Sequence, residues 1–486
     1  MTLVHDSIAV AVPLHQKGTY DAATIEEDHF SKAQNLNANS SCHKEALFRG
    51  SKTVRRNARK VKVLGERKVA VFKQGTNNLE VARNIALYKS KKGQEGAFFV
   101  MNVNKLVKRW WQWKRNLPRI EPFYALKCND DPVLIKVLSK LGCGFDVASK
   151  AEFVKAVKLM TNEKIIYANP IKTKSFIKRA RELGIMMMTF DSVEELNKVA
   201  LLHPKARLIL RIATNDSAAR CPLSMKFGCD PVEDGPQILK AAAELGVAVV
   251  GISFHVGSGC TNPIAFEEAI IQAHALFDKG MELGHKMNVL DIGGGYPGAD
   301  NEFQCFANIA NVIASCIDKY FPDGKGVRII AEPGRFFATA PFSLVTNIIG
   351  VRRVPAQRIA KDGITCGDGF MYYMNDGVYG SFNCILYDHA HPEGRPLFDN
   401  DSDECFPCSI WGPTCDGLDQ VENEIKEDVT IQKCRMMPQL STGDWLYYEN
   451  MGAYTQSAAT TFNGFEKARS YYFADENTWK LIADAI

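Results

Sequence analysis

Residues 121–130 read EPFYALKCND, an apolar run of Phe, Tyr, Ala and Leu that stops at Lys127 and passes directly into polar residues. A short run of this kind, rich in aromatic residues and followed by Asn and Asp, is typical of a buried strand. The role of a lysine at the end of such a strand is the first question that the sequence raises. Its answer depends on what the neighbouring strands carry at the same place.

Apolar runs of the same type recur along the chain and alternate with helical patterns. The runs are FYALK, GFDVAS, IIYANP, MMTFD, RLILRIA, VVGISFHVG, NVLDIGGG and RIIAEPGR. The stretches between them, such as KAEFVKAVKLM (150–160) and SVEELNKVALL (192–202), repeat apolar residues at helical spacing. Alternating strands and helices indicate a parallel sheet covered by helices. Eight strands in a row predict a (β/α)₈ barrel, with a doubly wound open sheet as the alternative.

The pattern on either side of this region is different. After Phe337 it changes to strand-like segments separated by Gly, Pro and Asp: FSLVTNIIGV, GFMYYMND, SFNCILYD, CSIWGPT, DWLYYEN and SYYFAD. We therefore predict a barrel over residues 103–338 and a mainly β domain over 339–486. Residues 61–102, which end within the strand-like GAFFVMNV (96–103), are expected to pair into that β domain. Residues 1–60 have no apolar periodicity and are expected to form a largely disordered tail.

The composition excludes several classes of function. A net charge of +4 over 486 residues favours neither a nucleic acid nor an anionic membrane surface as a partner. No stretch approaches the roughly 18 apolar residues that a membrane span needs, and the N-terminus lacks the features of a secretory signal. The 14 cysteines are scattered through apolar stretches, and the lone pair Cys405 and Cys408 has no second pair at zinc-site spacing, which favours a surface loop. We therefore expect a cytoplasmic protein with reduced thiols and no metal.

Polar residues stand where the barrel strands end. In such barrels the catalytic residues collect at the C-terminal ends of the strands, so these side chains should meet at one rim. They are Lys127, Asp146, Asn169, Asp191, Arg211, His255, the run 293–295, Glu332 and Arg335. Each residue taken alone is better explained as a helix cap or a surface charge than as a catalytic group. Eight polar strand ends converging on one rim favour an active site.

The glycine run at 293–295 follows the seventh strand, where barrels of this type often bind a phosphate. Gly-Ser-Gly at 257–259 adds backbone donors and a hydroxyl, and Arg335 adds a charged fork. The alternative explanation for the three glycines is an ordinary tight turn. No GxxxxGK[ST] motif is present, so a nucleoside triphosphate is not implied.

A phosphate site next to a lysine suggests a particular cofactor. Partial desolvation of the Lys127 amine would favour its neutral, nucleophilic form and hence a Schiff base with an aldehyde. A phosphorylated aldehyde that works this way is pyridoxal phosphate. Its ring nitrogen requires an acidic partner, for which Glu332 is available, and His255 offers a flat group for the ring.

A family resemblance covers the chain from about residue 95 to its end. The motifs, in order, are PFYALKCN, GFDVASKAE, YANPIK, TFDSVEEL, LRIATNDS, CPLSMKFG, SFHVGSGC, LDIGGGYPG, IAEPGRFF, NDGVYGSFNCILYDHA, SIWGPTCDGLD and ENMGAYTQSAATTFNGF. They resemble the eukaryotic ornithine decarboxylases. The resemblance implies an alanine-racemase-like fold, in which a (β/α)₈ barrel carrying pyridoxal phosphate precedes a β domain. It also implies a head-to-tail homodimer with active sites at the subunit interface.

The resemblance also assigns roles to single residues. It implies that Lys127 holds the cofactor, that His255 stacks on its ring and that Glu332 binds the ring nitrogen. The other cofactor-binding residues that it implies are Asp146, Arg211, Ser258, Gly294, Gly295, Gly334, Arg335 and Tyr454. The substrate residues that it implies are Tyr387, Asp388, Cys415 and Asp416. Cys415 and Asp416 would reach into the neighbouring subunit's site, where Cys415 would return a proton to the α-carbon.

The implied reaction is the decarboxylation of L-ornithine to putrescine, the first step of polyamine biosynthesis. Two carboxylates, Asp388 and Asp416, suit a substrate whose far end is an ammonium. Ornithine and lysine differ by one methylene, worth about 1 to 3 kcal/mol, so mixed specificity for the two is one alternative. A catalytically inactive, antizyme-inhibitor-like binding protein is the other, although the catalytic positions are all in place. Residues 174–205 resemble the antizyme-binding region of the family, and a solvated helix face explains the same pattern.

Overall fold

A computed structural model describes residues 58–361, 365–399, 404–421, 423–426, 429–432 and 434–484. Residues 1–57, the greater part of the predicted disordered tail, lie outside the described residues. The last three positions assigned to that tail, 58–60, begin the first strand.

The β-strands of the described residues are, in chain order, β1 (Ala58–Leu64), β2 (Arg67–Phe72), β3 (Phe98–Asn102), β4 (Ile120–Ala125), β5 (Gly144–Val147), β6 (Ile165–Tyr167), β7 (Met187–Phe190), β8 (Arg207–Ile212), β9 (Val249–Phe254), β10 (Val289–Asp291), β11 (Arg328–Ala331), β12 (Phe342–Pro355), β13 (Asp368–Met374), β14 (Gly394–Pro396), β15 (Cys405–Trp411), β16 (Gln420–Val421), β17 (Asn423–Lys426), β18 (Val429–Gln432), β19 (Arg435–Pro438), β20 (Trp445–Tyr448) and β21 (Arg469–Asp475). The α-helices are α1 (Asn78–Lys91), α2 (Val103–Asn116), α3 (Pro132–Lys140), α4 (Lys150–Val157), α5 (Lys174–Glu182), α6 (Val193–Leu202), α7 (Asp234–Glu244), α8 (Pro263–Glu282), α9 (Phe303–Tyr320), α10 (Arg335–Ala338), α11 (Gln357–Ala360), α12 (Cys384–Tyr387) and α13 (Glu476–Asp484).

Strands β4 to β11 form a closed parallel barrel. Closure is completed by β11, which pairs in parallel with β4 on one side and with β10 on the other. The predicted (β/α)₈ barrel is therefore confirmed, and the open-sheet alternative is wrong. The strands read as nearly continuous apolar runs because helices cover the outer face of the barrel while side chains fill its interior.

The lower interior of the barrel is filled by one apolar cluster. Its members are Phe123, Ile166, Ala168, Met187, Ile209, Val250, Val289 and Ile330, all buried. Gly144 on β5 makes room for this cluster, since a Cβ there would lie 2.7 Å from the Phe123 ring. The polar residues of the barrel interior therefore lie above this layer, toward the C-terminal ends of the strands.

A second sheet of eleven strands packs beside the barrel. Its longest strand, β12, pairs antiparallel with β3, β13 and β20. Strands β1, β2 and β3 from the N-terminal side join the same sheet, in which β21 lies between β2 and β3. The sheet therefore combines segments from both sides of the barrel in sequence.

One strand expected in this region is absent from the described structure. The segment SFNCILYD (381–388) was predicted as strand-like and instead forms a 3₁₀ turn followed by helix α12. The Asp376 carboxylate accepts hydrogen bonds from the backbone N–H groups of Gly377 (2.9 Å) and Ser381 (2.8 Å), which starts a helical turn. Helix α12 then ends at Tyr387, so Asp388 is directed toward the barrel.

The loop after β4 is hydrogen-bonded to the β domain at several points. The Cys128 carbonyl accepts from the Tyr454 backbone N–H and from the Ser457 hydroxyl, both at 3.0 Å. The Asn129 side chain donates to the Gly452 carbonyl at 2.8 Å. These bonds fix the backbone immediately after Lys127 and bring the segment that carries Tyr454 beside it.

The described residues share two further properties, which concern their helices and their cysteines. No helix among them is long and apolar enough to cross a membrane. Their cysteines are all free thiols.

The tight contact at Gly144 generates a stability prediction. Gly144→Ala should lower the free energy of unfolding by about 1–3 kcal/mol, because the added methyl group overlaps the Phe123 ring and the Lys164 carbonyl. Denaturant unfolding followed by tryptophan fluorescence measures the change. Gly350→Ala in β12 is the matched control, since the nearest atoms to its Cβ lie 3.9 Å away. Equal stability of the two variants would contradict the packing argument.

Candidate active site

The candidate site begins with an ion pair between Lys127 and Asp146. The Lys127 ammonium donates to the Asp146 carboxylate, which is 1% exposed, whereas the lysine side chain is 41% exposed. Asp146 lies on β5 beside Ala125 of β4, so strand register places the two side chains together. The lysine therefore stands at the mouth of the barrel with its amine directed at a buried anion.

The protonation of Lys127 differs from the sequence-based expectation. Burial lowers the pKa of this amine, as expected, but the Asp146 and Glu332 carboxyl groups outweigh that effect and raise the pKa above its usual value. The expectation of a neutral amine produced by desolvation is therefore wrong for the chain as described. An apolar strand in the sequence gives no sign of the opposing carboxylates.

Arg211 and Glu332 lie deeper in the same cluster. Burial, followed by the nearby Asp291 and Asp146 carboxylates, raises the pKa of Glu332 well above its usual range. Among the described residues, neither Glu332 Oε1 nor Arg211 Nε has a hydrogen-bond partner, although both atoms are buried. Buried polar atoms are usually paired, so these two require a polar group from outside the chain.

His255 provides a flat ring beside this cluster. Its Nδ1 accepts a hydrogen bond from the Gly257 N–H at 3.0 Å. Burial, followed by the charges of Arg211 and Lys127, lowers its pKa well below the usual value, so the imidazole is neutral with its proton on Nε2. A Cβ on Gly294 would lie 2.9 Å from Nε2, so the glycine leaves room for the ring.

Ser258, Arg335 and Tyr454 meet on one side of the rim. The Arg335 guanidinium donates to the Ser258 hydroxyl at 2.9 Å and lies 5.2 Å from the centre of the Tyr454 ring. The glycine loops come close here, since a Cβ on Gly295 would lie 2.2 Å from the Gly257 carbonyl oxygen. A guanidinium, two hydroxyls and side-chain-free loops suit a phosphate group.

Arg335 has a second partner in Asp388. The guanidinium holds the Asp388 carboxylate in a bidentate ion pair, with one N–O distance of 2.7 Å. Both side chains are less than 10% exposed. The structure therefore places the predicted phosphate-binding arginine and the predicted substrate-binding aspartate in direct contact.

The remaining predicted substrate residues lie elsewhere on the β domain. Cys415 is exposed and its backbone N–H donates to Asn463 at 3.2 Å, while Asp416 accepts from the Tyr379 hydroxyl. Tyr387 is 69% exposed. No hydrogen bond or ion pair found among the described residues joins these three side chains to the barrel cluster.

The residues of the rim fit pyridoxal phosphate. The lysine amine suits its aldehyde, and the unpartnered buried carboxyl oxygen suits its ring nitrogen. The neutral, flat imidazole suits the face of its ring, and the guanidinium with the nearby hydroxyls suits its phosphate. Lys127, Glu332, His255, Ser258 and Arg335 would hold these parts. At Gly334, also predicted, an added Cβ would lie 2.9 Å from the Cys128 Cβ, so the glycine lets the loop after β11 approach the loop after β4.

Sequence reasoning overlooked three residues of this region. Asp291, the last residue of β10, is fully buried beside Glu332. Tyr379 holds Asp416, and Ser457 holds the loop after Lys127. An acidic residue at the end of an apolar strand, as in VLDIGGG, was the available signal for Asp291. The contacts of Tyr379 and Ser457 leave no comparable pattern in the sequence.

The chain is similar to several known proteins. The family model described as "Pyridoxal-dependent decarboxylase, pyridoxal binding domain" matches residues 103–339. Ornithine decarboxylase of Caenorhabditis elegans is 51% identical over 87% of this chain and 98% of its own length. Antizyme inhibitor 2 of Xenopus laevis is 44% identical over 79% of this chain and 83% of its own.

Solved structures of decarboxylases share the fold. An arginine decarboxylase from Paramecium bursaria Chlorella virus, bound to agmatine, matches 81% of this chain and 100% of its own with a TM-score of 0.72 and 35% identity. A lysine/ornithine decarboxylase from Vibrio vulnificus, complexed with putrescine, matches 82% of this chain and 99% of its own with a TM-score of 0.68 and 27% identity.

The charge balance at Lys127 generates a pH prediction. Asp146→Asn should lower the pKa of Lys127, because an amide cannot offset the cost of burying the ammonium. The amine of the cofactor-free chain should then react with an acylating reagent at lower pH than in the unsubstituted chain. Mass spectrometry of the Lys127 peptide across a pH series measures this.

Asp130→Asn is the matched control, because it removes the partner of Lys155 from a half-exposed ion pair. It should leave the Lys127 labelling curve in place. An Asp146→Asn curve that coincides with the curve of the unsubstituted chain would show that Asp146 does not set the protonation of this lysine.

Proposed function

The chain belongs to the family of eukaryotic ornithine decarboxylases, and from this membership we propose how its residues remove the carboxyl group of L-ornithine as CO₂ to leave putrescine. This reaction forms the first polyamine. The observation that carries the proposal is the cluster of Lys127, Asp146 and Glu332 at one end of the barrel, with polar atoms that require an outside partner.

The cofactor is pyridoxal phosphate, which when bound supplies an aldehyde that condenses with an amine and a protonated aromatic ring that accepts the electron pair of the broken bond. We assign Ser258, Gly294, Gly295, Arg335 and Tyr454 to its phosphate. The contact of Arg335 with Ser258 and its position over the Tyr454 ring support this assignment.

Lys127 and Asp146 are positioned to exchange a proton at the aldehyde end of the site. An ammonium cannot attack a carbonyl, so Lys127 must first give up a proton, and the adjacent Asp146 carboxylate is positioned to accept it. The same carboxylate can return the proton when the lysine becomes a leaving amine. Asp146, which is itself buried, therefore acts as a local proton store beside the lysine.

Glu332 and Arg211 act at the opposite end. The high pKa of Glu332 gives its carboxyl group a strong affinity for a proton, which suits a group that must keep a neighbouring ring nitrogen protonated. Arg211 supplies a fixed positive charge beside it and balances part of the carboxylate charge. The neutral His255 imidazole can lie against an aromatic ring without adding a further charge.

Asp388 and Asp416 are proposed to bind the far ammonium of the substrate. Asp388 is already paired with Arg335, so a phosphate at Arg335 and an ammonium at Asp388 would extend this pair into an alternating row of charges. The Tyr379 hydroxyl lowers the pKa of Asp416, which keeps that carboxylate ionised. Two carboxylates select a basic amino acid, and we retain ornithine as the preferred substrate over lysine.

A homodimer is proposed to complete the site. Cys415, proposed as the donor of the proton to the α-carbon, is exposed on the β domain, and among the described residues no hydrogen bond joins it to the barrel cluster of its own chain. The exposed apolar side chain of Leu418, three residues further along the chain, offers part of a surface for a second copy. The site of each subunit would then take Cys415 and Asp416 from its partner.

Antizyme is a further proposed partner. Helix α5 packs Ile177 and Ala180 into the core and leaves Lys174, Lys178 and Arg181 exposed, which gives a basic face for an acidic protein. An inactive antizyme-inhibitor-like protein is less well supported, because the full set of barrel residues is assembled here. We also propose a cytoplasmic location, in keeping with the free thiols of the described residues.

The first test is CO₂ release from ornithine, lysine and arginine offered separately with pyridoxal phosphate. Release should be greatest from ornithine, and Lys127→Ala should abolish it, because Lys127 is the one lysine among the described residues that forms an ion pair with Asp146. Lys155→Ala, which removes a half-exposed lysine outside the site, is the control and should keep full activity. An active Lys127→Ala chain would refute the assignment of this lysine.

A mixing experiment tests the shared site. Lys127→Ala and Cys415→Ala chains, each inactive alone, should regain about one quarter of the original activity when mixed, since half of the randomly reassorted dimers carry one intact site. Differently tagged chains verify that mixed dimers form. Mixed dimers without any recovered activity would contradict the sharing of residues between subunits.

A further inference from the structure

Asp291 lies behind the residues assigned to the cofactor and has no role in the reaction described so far. It is the last residue of β10 and is 0% exposed. Its Oδ2 accepts a hydrogen bond from the Ser253 hydroxyl at 3.0 Å, and its Oδ1 accepts from the Gly293 N–H at 3.0 Å. A carboxylate that receives two neutral donors in a fully buried position is held in one orientation.

These contacts join Asp291 to two loops of the site. Gly293 begins the glycine run, and its φ of +61° is a conformation that a residue with a side chain adopts at a cost. The bond from its N–H to Asp291 therefore stabilises the turn that leads to Gly294 and Gly295. The Gly293 carbonyl in turn accepts from the Glu332 N–H at 2.7 Å, which ties the loop after β11 to the same turn.

The carboxyl groups of Asp291 and Glu332 are neighbours, since burial and then the Asp291 carboxylate raise the pKa of Glu332. Two neighbouring buried carboxyl groups are not both readily ionised, so one of them tends to keep a proton. Because Asp291 already accepts from two donors, Glu332 is the group that favours the proton. The titratable and charged groups that surround this pair from the other elements are Lys127, Asp146, Arg211 and Tyr296.

We propose that Asp291 is a positioning residue that holds the neighbouring Glu332 carboxyl group in place and, through its negative charge, strengthens the hold of Glu332 on the proton shared with the cofactor ring nitrogen. This proposal rests on the proposed cofactor site. Asp291 does not touch the reacting atoms. It acts through Glu332 and through the turn at Gly293, so one carboxylate connects the ring-nitrogen end of the site with the phosphate end.

The test is Asp291→Asn, which keeps the shape of the side chain and removes its charge. The variant should bind pyridoxal phosphate about tenfold more weakly, as expected for loss of one charged hydrogen bond. Titration of the cofactor-free chain with pyridoxal phosphate, followed by visible absorbance, measures the affinity. The pH at which the bound cofactor's spectrum changes should move lower, because the shared proton is held less strongly.

Glu332→Gln separates this role from a merely structural one. If Asp291 acts through Glu332, Asp291→Asn should weaken cofactor binding far less in a chain that already carries Glu332→Gln than the tenfold expected in the otherwise unsubstituted chain. Fully additive losses, or an unchanged spectral pH midpoint in Asp291→Asn, would overturn the proposal. These readouts use binding and absorbance, so they stand whether or not the chain releases CO₂ from ornithine.

Ser253→Ala provides a milder variant if Asp291→Asn does not fold. It removes one hydrogen bond to the same carboxylate and keeps the charge, so binding of pyridoxal phosphate should weaken about threefold. Thr346→Val, which removes a buried hydroxyl from the β domain, is the control for loss of a hydroxyl and should leave cofactor binding unchanged. Unchanged affinity in Ser253→Ala would count against the positioning role.

Discussion

The site is governed by the need to balance buried charge at one end of the barrel. Two cations, Lys127 and Arg211, and three carboxyl groups, Asp146, Asp291 and Glu332, share that space. Uncompensated charge is costly in such surroundings, so the group is stable when Glu332 is protonated and two cations face two anions. A protonated ring nitrogen would add a third cation, and Glu332 could then ionise with the charges still balanced.

Hydrogen bonds between the barrel and the β domain limit the movement of the end of the barrel that carries Lys127. The backbone after Lys127 is bonded to the segment that carries Tyr454, and the Tyr472 hydroxyl of β21 donates to Asp131 at 2.9 Å. Asp131 in turn caps helix α3 through the Val133 and Leu134 N–H groups. The lysine is therefore supported from both domains. Rigid support of this kind maintains the close geometry that acid–base chemistry requires.

Sequence reasoning succeeded where local pattern determines the outcome. Each barrel strand was predicted because burial on both faces leaves an unbroken apolar run, and closure of the barrel then brought Lys127, Asp146, Arg211 and Glu332 together. The roles assigned to these residues remain proposals.

Sequence reasoning failed where residues far apart in the chain determine the local structure or charge. The helical turn at 381–387 depends on the buried carboxylate of Asp376, and the charge of Lys127 depends on carboxylates from other strands. Asp291 was overlooked because its importance comes from its neighbours Ser253 and Glu332. Ser253 precedes it in the chain by about forty residues, and Glu332 follows it by about forty. Contacts between residues so far apart leave no periodic signal. Asp388 shows the same dependence, since helix α12 rather than a strand directs it to Arg335. The residue proposed to bind the substrate and the residue proposed to bind the phosphate therefore share one ion pair, and a change in either would affect the other.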